Sequence, residues 1–247
     1  DIPAEYRHLF ATGKSINGFD PVGGNSGQLM EDSNAAVDAM IADIDSAREH
    51  VHLTFYIWLT DHNGMKMIEA LKRAAGRGVQ CRAMADDLGS RNLIRSAHWK
   101  AMQDAGVQLA VALPIGNMML HPLQGRRDLR NHRKILVADG HTGFVGGMNI
   151  GDRHLVNVQE NSERVVDLHF RLRGPIVSQI EHVFLEDWRF TTGEKTVPST
   201  SAEVGAGKAI CRTIVDGPNE DMDKLALILL GAISAARERI LIMTPYF

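Results

Sequence analysis

Six residues between positions 132 and 149 combine side chains that suit phosphate-ester chemistry. The spacing is His-x-Lys-x-x-x-x-Asp and then, after six residues, Gly-Gly-x-Asn; the six residues are His132, Lys134, Asp139, Gly146, Gly147 and Asn149. Residues two apart on a strand share a face, so we expect His132 beside Lys134. An imidazole is a nucleophile and an ammonium offsets negative charge, which together suit attack on a phosphodiester.

The residues between the two halves of this pattern predict a β-hairpin. Short apolar runs at 134–138 and 144–147 flank a Gly140-His141 pair, which fits a two-residue type II′ turn. The cross-strand pairs of that register are Asp139 with Thr142, Lys134 with Gly147, and His132 with Asn149. A histidine, a lysine and an amide would then share one patch, and the glycines would let a ligand approach the backbone.

Such a patch can carry out a two-step displacement. The neutral imidazole of His132 attacks phosphorus and forms a phosphohistidine, which divides one difficult displacement into two easier ones. Lys134 and Asn149 neutralise charge on the non-bridging oxygens. The leaving alkoxide needs an acid on the opposite side of phosphorus. Because the patch contains none, we expect a second histidine from elsewhere, either from a second domain or from a homodimer partner.

The six-residue pattern resembles the signature of the phospholipase D superfamily. Within that superfamily, most of residues 30–247 are similar to bacterial cardiolipin synthases. The other stretches that carry the resemblance are Leu53–Ile57, Asp86–Ser90, Arg130–Lys134, Gly146–Asp152, Asp167–His169, Gly174–Pro175 and Thr244–Phe247. The resemblance implies a phospholipase D-like α-β-α sandwich around a mixed β-sheet. It also implies the joining of two phosphatidylglycerols, with release of glycerol, through a phosphohistidine.

The resemblance also assigns roles to single residues. The catalytic residues would be His132, Lys134 and Asp139, and the residues that bind the substrate phosphate would be Asn149, Gly147 and Arg130. We expect the role of Asp139 to be mainly structural, through pairing with a basic side chain. Asp167 would orient a catalytic histidine, with Glu160 and Glu163 as alternatives.

No metal or other cofactor is expected. The histidines at 121, 154 and 169 lack the spacing of metal ligands, and Asp86-Asp87 suits capping of the following loop and helix better than a metal site. Arg126, Arg127 and Arg130 belong to a local basic cluster, which we interpret either as solvated loop charge or as a contact for anionic headgroups. Tyr56, Trp58 and Trp188 are assigned to the core or to a domain interface.

The chain departs from the family pattern in three ways. The second His-Lys-Asp motif and the hydrophobic N-terminal segments are absent from these 247 residues, and Val165-Val166 replaces the tryptophan expected before Asp167. The first departure concerns the activity of the isolated chain, the second its membrane anchoring, and the third its fine choice of substrate.

Alternating strands and helices must position this motif. After an irregular lead-in at 1–27, the apolar spacing predicts a helix from Asp32 or Ser33 and further helices at 65–75, 92–105 and 176–184. Strands are predicted at 51–58, 79–85, 107–113, 133–138, 144–147 and 165–172. Strands that alternate with helices indicate an α/β fold with a mixed sheet covered on both faces.

The opening pattern returns later in the chain. Met40-Ile41, Ala47-Arg48-Glu49 and Val51 match residues 189 positions further on, including an identical Ala236-Arg237-Glu238. The match favours a duplication, although two amphipathic helices followed by strands also look alike. We therefore expect a phospholipase D-like domain at 28–190, a Thr-, Ser- and Gly-rich linker at 191–207, and the start of a second such domain at 208–247.

Composition limits the function further. A net charge of −3 with 44% hydrophobic residues is typical of a globular protein and argues against one that coats nucleic acid. Two distant cysteines, Cys81 and Cys211, indicate a reducing compartment. No stretch approaches the roughly 20 apolar residues of a membrane span, and the N-terminus lacks the features of a signal peptide.

The leading prediction is phosphatidyl transfer at the bacterial cell membrane, where the protein would be peripheral or anchored by segments outside this chain. The expected partners are anionic phospholipid, above all phosphatidylglycerol, and the membrane surface, with no nucleic acid. The missing C-terminal half or a homodimer partner would complete the site. The alternatives are a phospholipase D-type phosphodiesterase or nuclease, and an inactive half that binds lipid.

Overall fold

The computed structural model describes residues 2–115, 130–152, 167–198, 207–215 and 224–242. After a short 3₁₀ turn at Ala4–Tyr6, the helices are α1 (Arg7–Asn17), α2 (Ser33–Ser46), α3 (His62–Gly76), α4 (Arg91–Ile94), α5 (Ala97–Asp104), α6 (Ile176–Thr192) and α7 (Lys224–Ala235). The strands are β1 (Val22–Leu29), β2 (His50–Phe55), β3 (Gln80–Asp86), β4 (Gln108–Ala112), β5 (Ile135–Ala138), β6 (Thr142–Gly146), β7 (His169–Arg173) and β8 (Ala209–Cys211). None of the helices in these ranges is long and apolar enough to cross a bilayer.

The strands form one mixed, eight-stranded sheet in the order β4-β3-β2-β5-β6-β7-β1-β8. β2, β3 and β4 pair in parallel, whereas β5, β6, β7 and β1 pair antiparallel. Parallel neighbours need long crossover connections, and α3, α4 and α5 supply them. The predicted mixed sheet is confirmed, and β2 to β7 are the strands that the sequence predicts.

Helices cover both faces of the sheet, as the predicted sandwich requires. On one face α2, α3 and α5 bury apolar side chains that include Val37, Met40, Ile44, Met67, Leu71 and Met102. On the other face α6 contributes Ile176, Val177, Ile180, Val183, Phe184 and Trp188. The spacing of three or four residues along α2 and α6 is that of one helix face. The sheet is therefore a rigid layer between two cores.

Capping side chains determine where two of the helices begin. Asp32 accepts a hydrogen bond from the backbone N–H of Ala35 at 2.8 Å, so Asp32 is the N-cap of α2. The single helix predicted at 92–105 is wrong, since the chain forms α4 and α5 instead. Ser96 lies between them and accepts from the N–H of His98 at 3.2 Å. A serine that caps in this way starts a new helix rather than continuing the old one.

The irregular lead-in predicted at 1–27 is also wrong, because it contains α1 and most of β1. β1 has little apolar alternation, and its central residue is the fully buried Asn25. The Asn25 amide donates to the carbonyls of Val22 and Ala209, and its Oδ1 accepts from the N–H of Ile176 at 2.8 Å. Polar side-chain bonds to distant backbone thus hold this strand.

The C-terminal segment departs from the predicted division of the chain. β8 lies beyond the predicted linker, yet it pairs with β1 at the edge of the first sheet. Ala209–Cys211 therefore lie in the sheet of the first predicted domain, and the boundary of a second domain stays a prediction. α7 forms where the repeat predicts a helix, but Ile240–Ile242, the described part of the predicted strand, are not in a strand. A strand requires a hydrogen-bonded neighbour, and the described residues offer none there.

Candidate active site

His132 lies in the extended segment just before β5, stacked on a tyrosine. Its ring lies 4.2 Å from the ring of Tyr56, centroid to centroid, with 22° between the planes. Tyr56 directly follows β2, the neighbour of β5, and is half-buried in the site rather than in the core. Partial burial lowers the pKa of His132, the charges of Lys134 and Arg130 lower it further, and Asp86 opposes them. The neutral imidazole, which can act as a nucleophile, is therefore favoured.

Lys134 brings its ammonium to the same place. Nζ donates to the backbone carbonyl of His132 at 2.6 Å and lies 5.8 Å from the centroid of the Tyr56 ring. Burial lowers the pKa of Lys134, and the carboxylate of Asp167 opposes that effect. The structure thus gathers an imidazole, an ammonium and an aromatic ring at the ends of β2 and β5.

The hairpin is present, but the predicted register is off by one residue. Ala138 pairs with Thr142, and the N–H of His141 donates to the Ala138 carbonyl at 3.1 Å. Asp139 and Gly140 are the central turn residues, with φ values of 52° and 66°. Left-handed backbone at both positions is the geometry of a type I′ turn, which Asp-Gly favours. The ladder, continued by one residue, sets Lys134 opposite Gly146 instead of Gly147.

The two glycines make room for residues at and just before β7, and phosphate binding at Gly147 stays a prediction. A Cβ added at Gly146 would lie 2.2 Å from the carbonyl oxygen of Leu168 and 2.5 Å from Nδ1 of His169. A Cβ at Gly147 would lie 2.2 Å from Oδ1 of Asp167. Neither position accepts a larger residue without a shift of the backbone or of these side chains. Asp167 and His169 therefore lie against the end of β6.

Asn149 connects the two loops that frame the site. Its Oδ1 accepts from the N–H of Ile57 at 3.1 Å, and the neighbouring Ile150 bridges to Trp58. This bond fixes the amide and holds the segment after β2, including Tyr56, against the end of β6. Phosphate binding by the amide nitrogen of Asn149 stays a prediction.

Asp139 lies away from the site, at the far end of β5 from His132. Its carboxylate accepts from the backbone N–H groups of Arg48, Glu49 and His50, each at 2.9 Å. The expected structural role is confirmed, but the partners are backbone amides rather than a basic side chain. Its side chain locks the hairpin turn onto the start of β2, and a catalytic role of Asp139 stays a prediction.

Arg130 bonds to two groups of the protein itself. It is 9% exposed and pairs with Asp86, with Nη2 at 2.8 Å from Oδ1, while it also donates to the carbonyl of Leu113. Asp86 further accepts from the N–H groups of Leu88 and Gly89, which confirms its expected capping role. This pair anchors the approach to His132 on β3, and phosphate binding by Arg130 stays a prediction.

A cavity of about 230 Å³ opens beside His132 and Lys134. Gly146 and Arg133 also line it, and Arg133 pairs with Asp187 of α6. The rest of the wall is largely aliphatic and comes from β5, β6, α6 and the segment after β8: Ile135, Val145, Ile180, Val183, Thr213, Ile214 and Val215. A charged reaction centre thus borders an apolar compartment.

A further titratable cluster joins the start of β2 to α6. His50 Nε2 and His52 Nδ1 lie 2.6 Å and 3.2 Å from Oε1 of Glu181, and the three potential ligand atoms lie within 4.8 Å of one another. Arg82 Nη1 lies 3.4 Å from His52 Nε2. A guanidinium only donates, so Nε2 accepts and Nδ1 carries the proton that bonds to Glu181. The arrangement is a hydrogen-bonded network, and the neighbouring positive charge opposes a metal cation there.

Several predicted or candidate residues fall outside the described ranges: His121, Arg126, Arg127, His154, Glu160 and Glu163. Two residues that sequence reasoning missed lie in or beside the site. Tyr56 is predicted in the core or at an interface, and His169 belongs to a stretch that carries the family resemblance but has no predicted role in the site. Their positions at the end of β2 and the start of β7, next to the motif strands, were the available signal.

Comparison with known proteins agrees with this geometry. The family model described as "Cardiolipin synthase, PLD-like domain" matches residues 40–188. The chain is 33% identical over 247 residues to cardiolipin synthase A of Serratia proteamaculans (strain 568), covering 98% of this chain and 50% of that protein. It is 35% identical over 228 residues to the major cardiolipin synthase of Bacillus subtilis (strain 168), covering 90% of this chain and 46% of that protein.

The chain thus spans about half the length of the curated relatives it matches. Among solved structures, phosphatidylserine synthase of Haemophilus influenzae Rd KW20 shares the fold, with a TM-score of 0.56 and 15% identity, over 79% of this chain and 45% of that one. The motif, the mixed sheet and the family match agree: the chain belongs to the phospholipase D superfamily, in the family of cardiolipin synthase-like domains.

Proposed function

We propose that this chain carries half of a phosphatidyltransferase site that makes cardiolipin from two phosphatidylglycerols through a phosphohistidine. The observation that carries the proposal is the aliphatic cavity directly beside His132 and Lys134. A substrate held there has a phosphodiester at the charged mouth and apolar groups against the wall. A glycerophospholipid has that distribution of polar and apolar groups.

The chemistry proceeds in two displacements. The neutral imidazole of His132 attacks phosphorus, a P–N bond forms, and the P–O bond to the first glycerol breaks. The departing oxygen takes a proton from an acid on the opposite side. The hydroxyl of a second phosphatidylglycerol then gives its proton to the group that served as the acid and attacks phosphorus, which breaks the P–N bond and restores the histidine. The Lys134 ammonium offsets the charge on the phosphoryl oxygens in both steps.

Electrostatics supports a lipid over a nucleic acid as the substrate. Affinity for a polyanion depends on an excess of Lys and Arg, whereas this chain carries −3 overall. Within the described site, Arg130 and Arg133 are already paired with Asp86 and Asp187. Lys134 is therefore the principal cation that faces a single phosphate.

Hydrolysis of the same intermediate is the second candidate. His132 is exposed to solvent, so water can compete with an alcohol for the phosphohistidine. Transfer and hydrolysis share the first step and differ only in the acceptor. We propose transfer as the main outcome, at a bacterial membrane surface where phosphatidylglycerol is concentrated.

The test supplies phosphatidylglycerol vesicles and, separately, phosphatidylcholine vesicles, each labelled with ³²P at the phosphodiester. Cardiolipin and free glycerol from the first support transfer, whereas phosphatidic acid from either indicates hydrolysis. Protein-bound label that is stable to base and labile to acid reports the phosphohistidine. His132→Asn should abolish that label, and His182→Asn, the same change on α6, should retain it. Absence of label with both lipids and with a nitrophenyl phosphodiester, whose leaving group needs no acid, would overturn the proposal.

A further inference from the structure

His169 is a buried histidine next to the site to which the motif assigns no role. It is 3% exposed, and neither Nδ1 nor Nε2 has a hydrogen-bond partner within the described residues. Buried polar atoms are nearly always paired in native proteins, and an exception calls for an explanation. A neighbour that can donate a hydrogen bond to one of these nitrogens would supply that explanation.

The strand register shows which neighbour that is. His169 on β7 pairs with Gly146 on β6, and Gly146 lies opposite Lys134 when the β5–β6 ladder is continued by one residue. Because Gly146 has no side chain, the imidazole lies over it, with Nδ1 only 2.5 Å from where a Cβ would be. Asp167, two residues earlier, lies over Gly147 in the same way. Both side chains thus extend across β6 towards Lys134.

Charge interactions agree with this placement. Burial and the charge of Lys134 lower the pKa of His169 to about 4, and Asp167 in turn raises the pKa of Lys134. His169 is therefore a neutral imidazole at physiological pH, with one nitrogen lone pair available. The same neutrality excludes it as the proton donor that the leaving group needs at neutral pH.

Lys134 has N–H groups that can donate a hydrogen bond to the lone pair of His169. An ammonium has three donors, of which one bonds to the carbonyl of His132. Among the described residues, the other groups that face this ammonium are the ring of Tyr56, the imidazole of His132 and the carboxylate of Asp167. His169 is the neighbour with unused hydrogen-bonding atoms.

We propose that His169 is a positioning residue for Lys134: its neutral ring accepts a hydrogen bond from Nζ and, together with Asp167, holds the ammonium where the phosphoryl group binds. The inference rests on the proposed function only in assigning Lys134 to the phosphoryl group. The two glycines of the motif then have a specific purpose, which is to let β7 reach the lysine.

The test measures the pKa of Lys134 by NMR of ¹³Cε-labelled lysine, with Lys134→Arg to assign the signal. His169→Phe keeps a buried ring but removes both nitrogens. The hydrogen bond favours the charged lysine, so the pKa of Lys134 should fall by about one pH unit. His169→Asn, which keeps a neutral acceptor, should restore most of the difference, and His182→Phe on α6 should leave Lys134 unchanged.

Affinity for inorganic phosphate gives the second readout. It should fall about tenfold in His169→Phe and recover in His169→Asn, since a misplaced ammonium binds the anion less well. If His169→Phe does not fold, Lys134→Met is examined instead. Removal of the ammonium should raise the pKa of His169, measured by imidazole ¹⁵N NMR. An unchanged Lys134 pKa with unchanged phosphate affinity in His169→Phe, or an unchanged His169 pKa in Lys134→Met, would overturn the proposal.

Neither readout requires turnover, so the two proposals fail separately. Lys134 and His169 that respond as expected in a protein that never forms a phosphohistidine would refute the function and leave the inference standing. Normal cardiolipin formation by His169→Phe, together with an unchanged Lys134 pKa, would refute the inference and leave the proposed function standing.

Discussion

Single residues in this site depend on partners that are far away in sequence. The motif spacing was sufficient to predict His132 and Lys134 as neighbours, because strand geometry alone relates residues two apart. It was insufficient for Asp139 and Arg130, since their roles depend on the backbone of residues 48–50 and on Asp86. Nothing in the local pattern reveals those contacts, so the sequence alone predicted a basic side chain as the partner of Asp139 and a substrate phosphate as the partner of Arg130.

Tyr56 provides a prediction about the pH dependence of the first step. Its ring covers one face of His132, and partial burial is the leading cause of the lowered pKa of that histidine. The neutral imidazole is the reactive form, so a lowered pKa extends activity to lower pH. Tyr56→Ala should move the acidic limb of the phosphohistidine-formation profile to higher pH, towards the ordinary histidine value. Tyr56→Phe, which keeps the stacking, should leave the limb in place, and an unmoved limb in Tyr56→Ala would contradict the explanation.

At the level of elements, apolar periodicity predicted the order of helices and strands correctly where side chains pack on a core. It failed for β1, which Asn25 holds through polar bonds, and for the hairpin register, which the left-handed Asp139 and Gly140 determine. Such features depend on backbone conformation and long-range hydrogen bonds. The spacing of hydrophobic residues predicts neither of these.

Asp139 provides the stability prediction for the hairpin. Three backbone N–H groups donate to its carboxylate, and its φ of 52° is one that Asp and Asn tolerate better than Ala. Asp139→Ala should reduce the free energy of unfolding by about 3 kcal/mol, measured by urea denaturation. Asp139→Asn keeps the backbone preference and an acceptor oxygen and should lose less. Both variants, once folded, should form phosphohistidine at the rate of the unmodified chain, and a catalytic defect with intact stability would restore Asp139 to the reaction.

The network between β2 and α6 predicts how stability depends on pH. Burial alone would raise the pKa of Glu181, but hydrogen bonds from His50 and His52 lower it to about 2, whereas burial lowers the pKa of His52 despite its bond to Glu181. As the pH falls, the unfolded chain therefore takes up a proton at each of these two groups at a higher pH than the folded chain does. Stability should fall as pH drops below about 6.5 through His52, and again from about 4.5 towards 2 through Glu181.

Thermal unfolding between pH 8 and pH 3 measures how the stability of the protein depends on pH. Glu181→Gln removes the carboxylate and should flatten the part of the curve below pH 4.5, at the cost of lower stability at neutral pH. Glu186→Gln, an exposed carboxylate on the same helix, serves as the matched control and should leave the curve unchanged. If stability still falls below pH 4.5 in Glu181→Gln, other carboxylates rather than Glu181 cause that loss.

At the scale of the whole molecule, the two displacements need more groups than the described site supplies. The 247 residues contain one His-x-Lys-x-x-x-x-Asp motif, and His169 is neutral at physiological pH. The chain covers about half of its curated relatives, and α7 exposes Leu227, Leu229 and Leu230 on its surface. We propose that the acid comes from a second histidine, either in a further domain or in a second copy of this chain.

The leaving group separates nucleophile from acid experimentally. General acid catalysis raises the rate by about 10²–10⁴-fold. An alkoxide leaving group depends on that acid, whereas a nitrophenolate leaves without taking up a proton. The purified 247-residue chain should therefore release nitrophenolate from a nitrophenyl phosphodiester in a burst that matches the protein concentration, yet turn over phosphatidylglycerol poorly. Cardiolipin formation that rises with the square of protein concentration would indicate that two copies share the site. Efficient turnover of lipid by a monomer, checked by light scattering at the assay concentration, would contradict the need for a histidine from outside this chain.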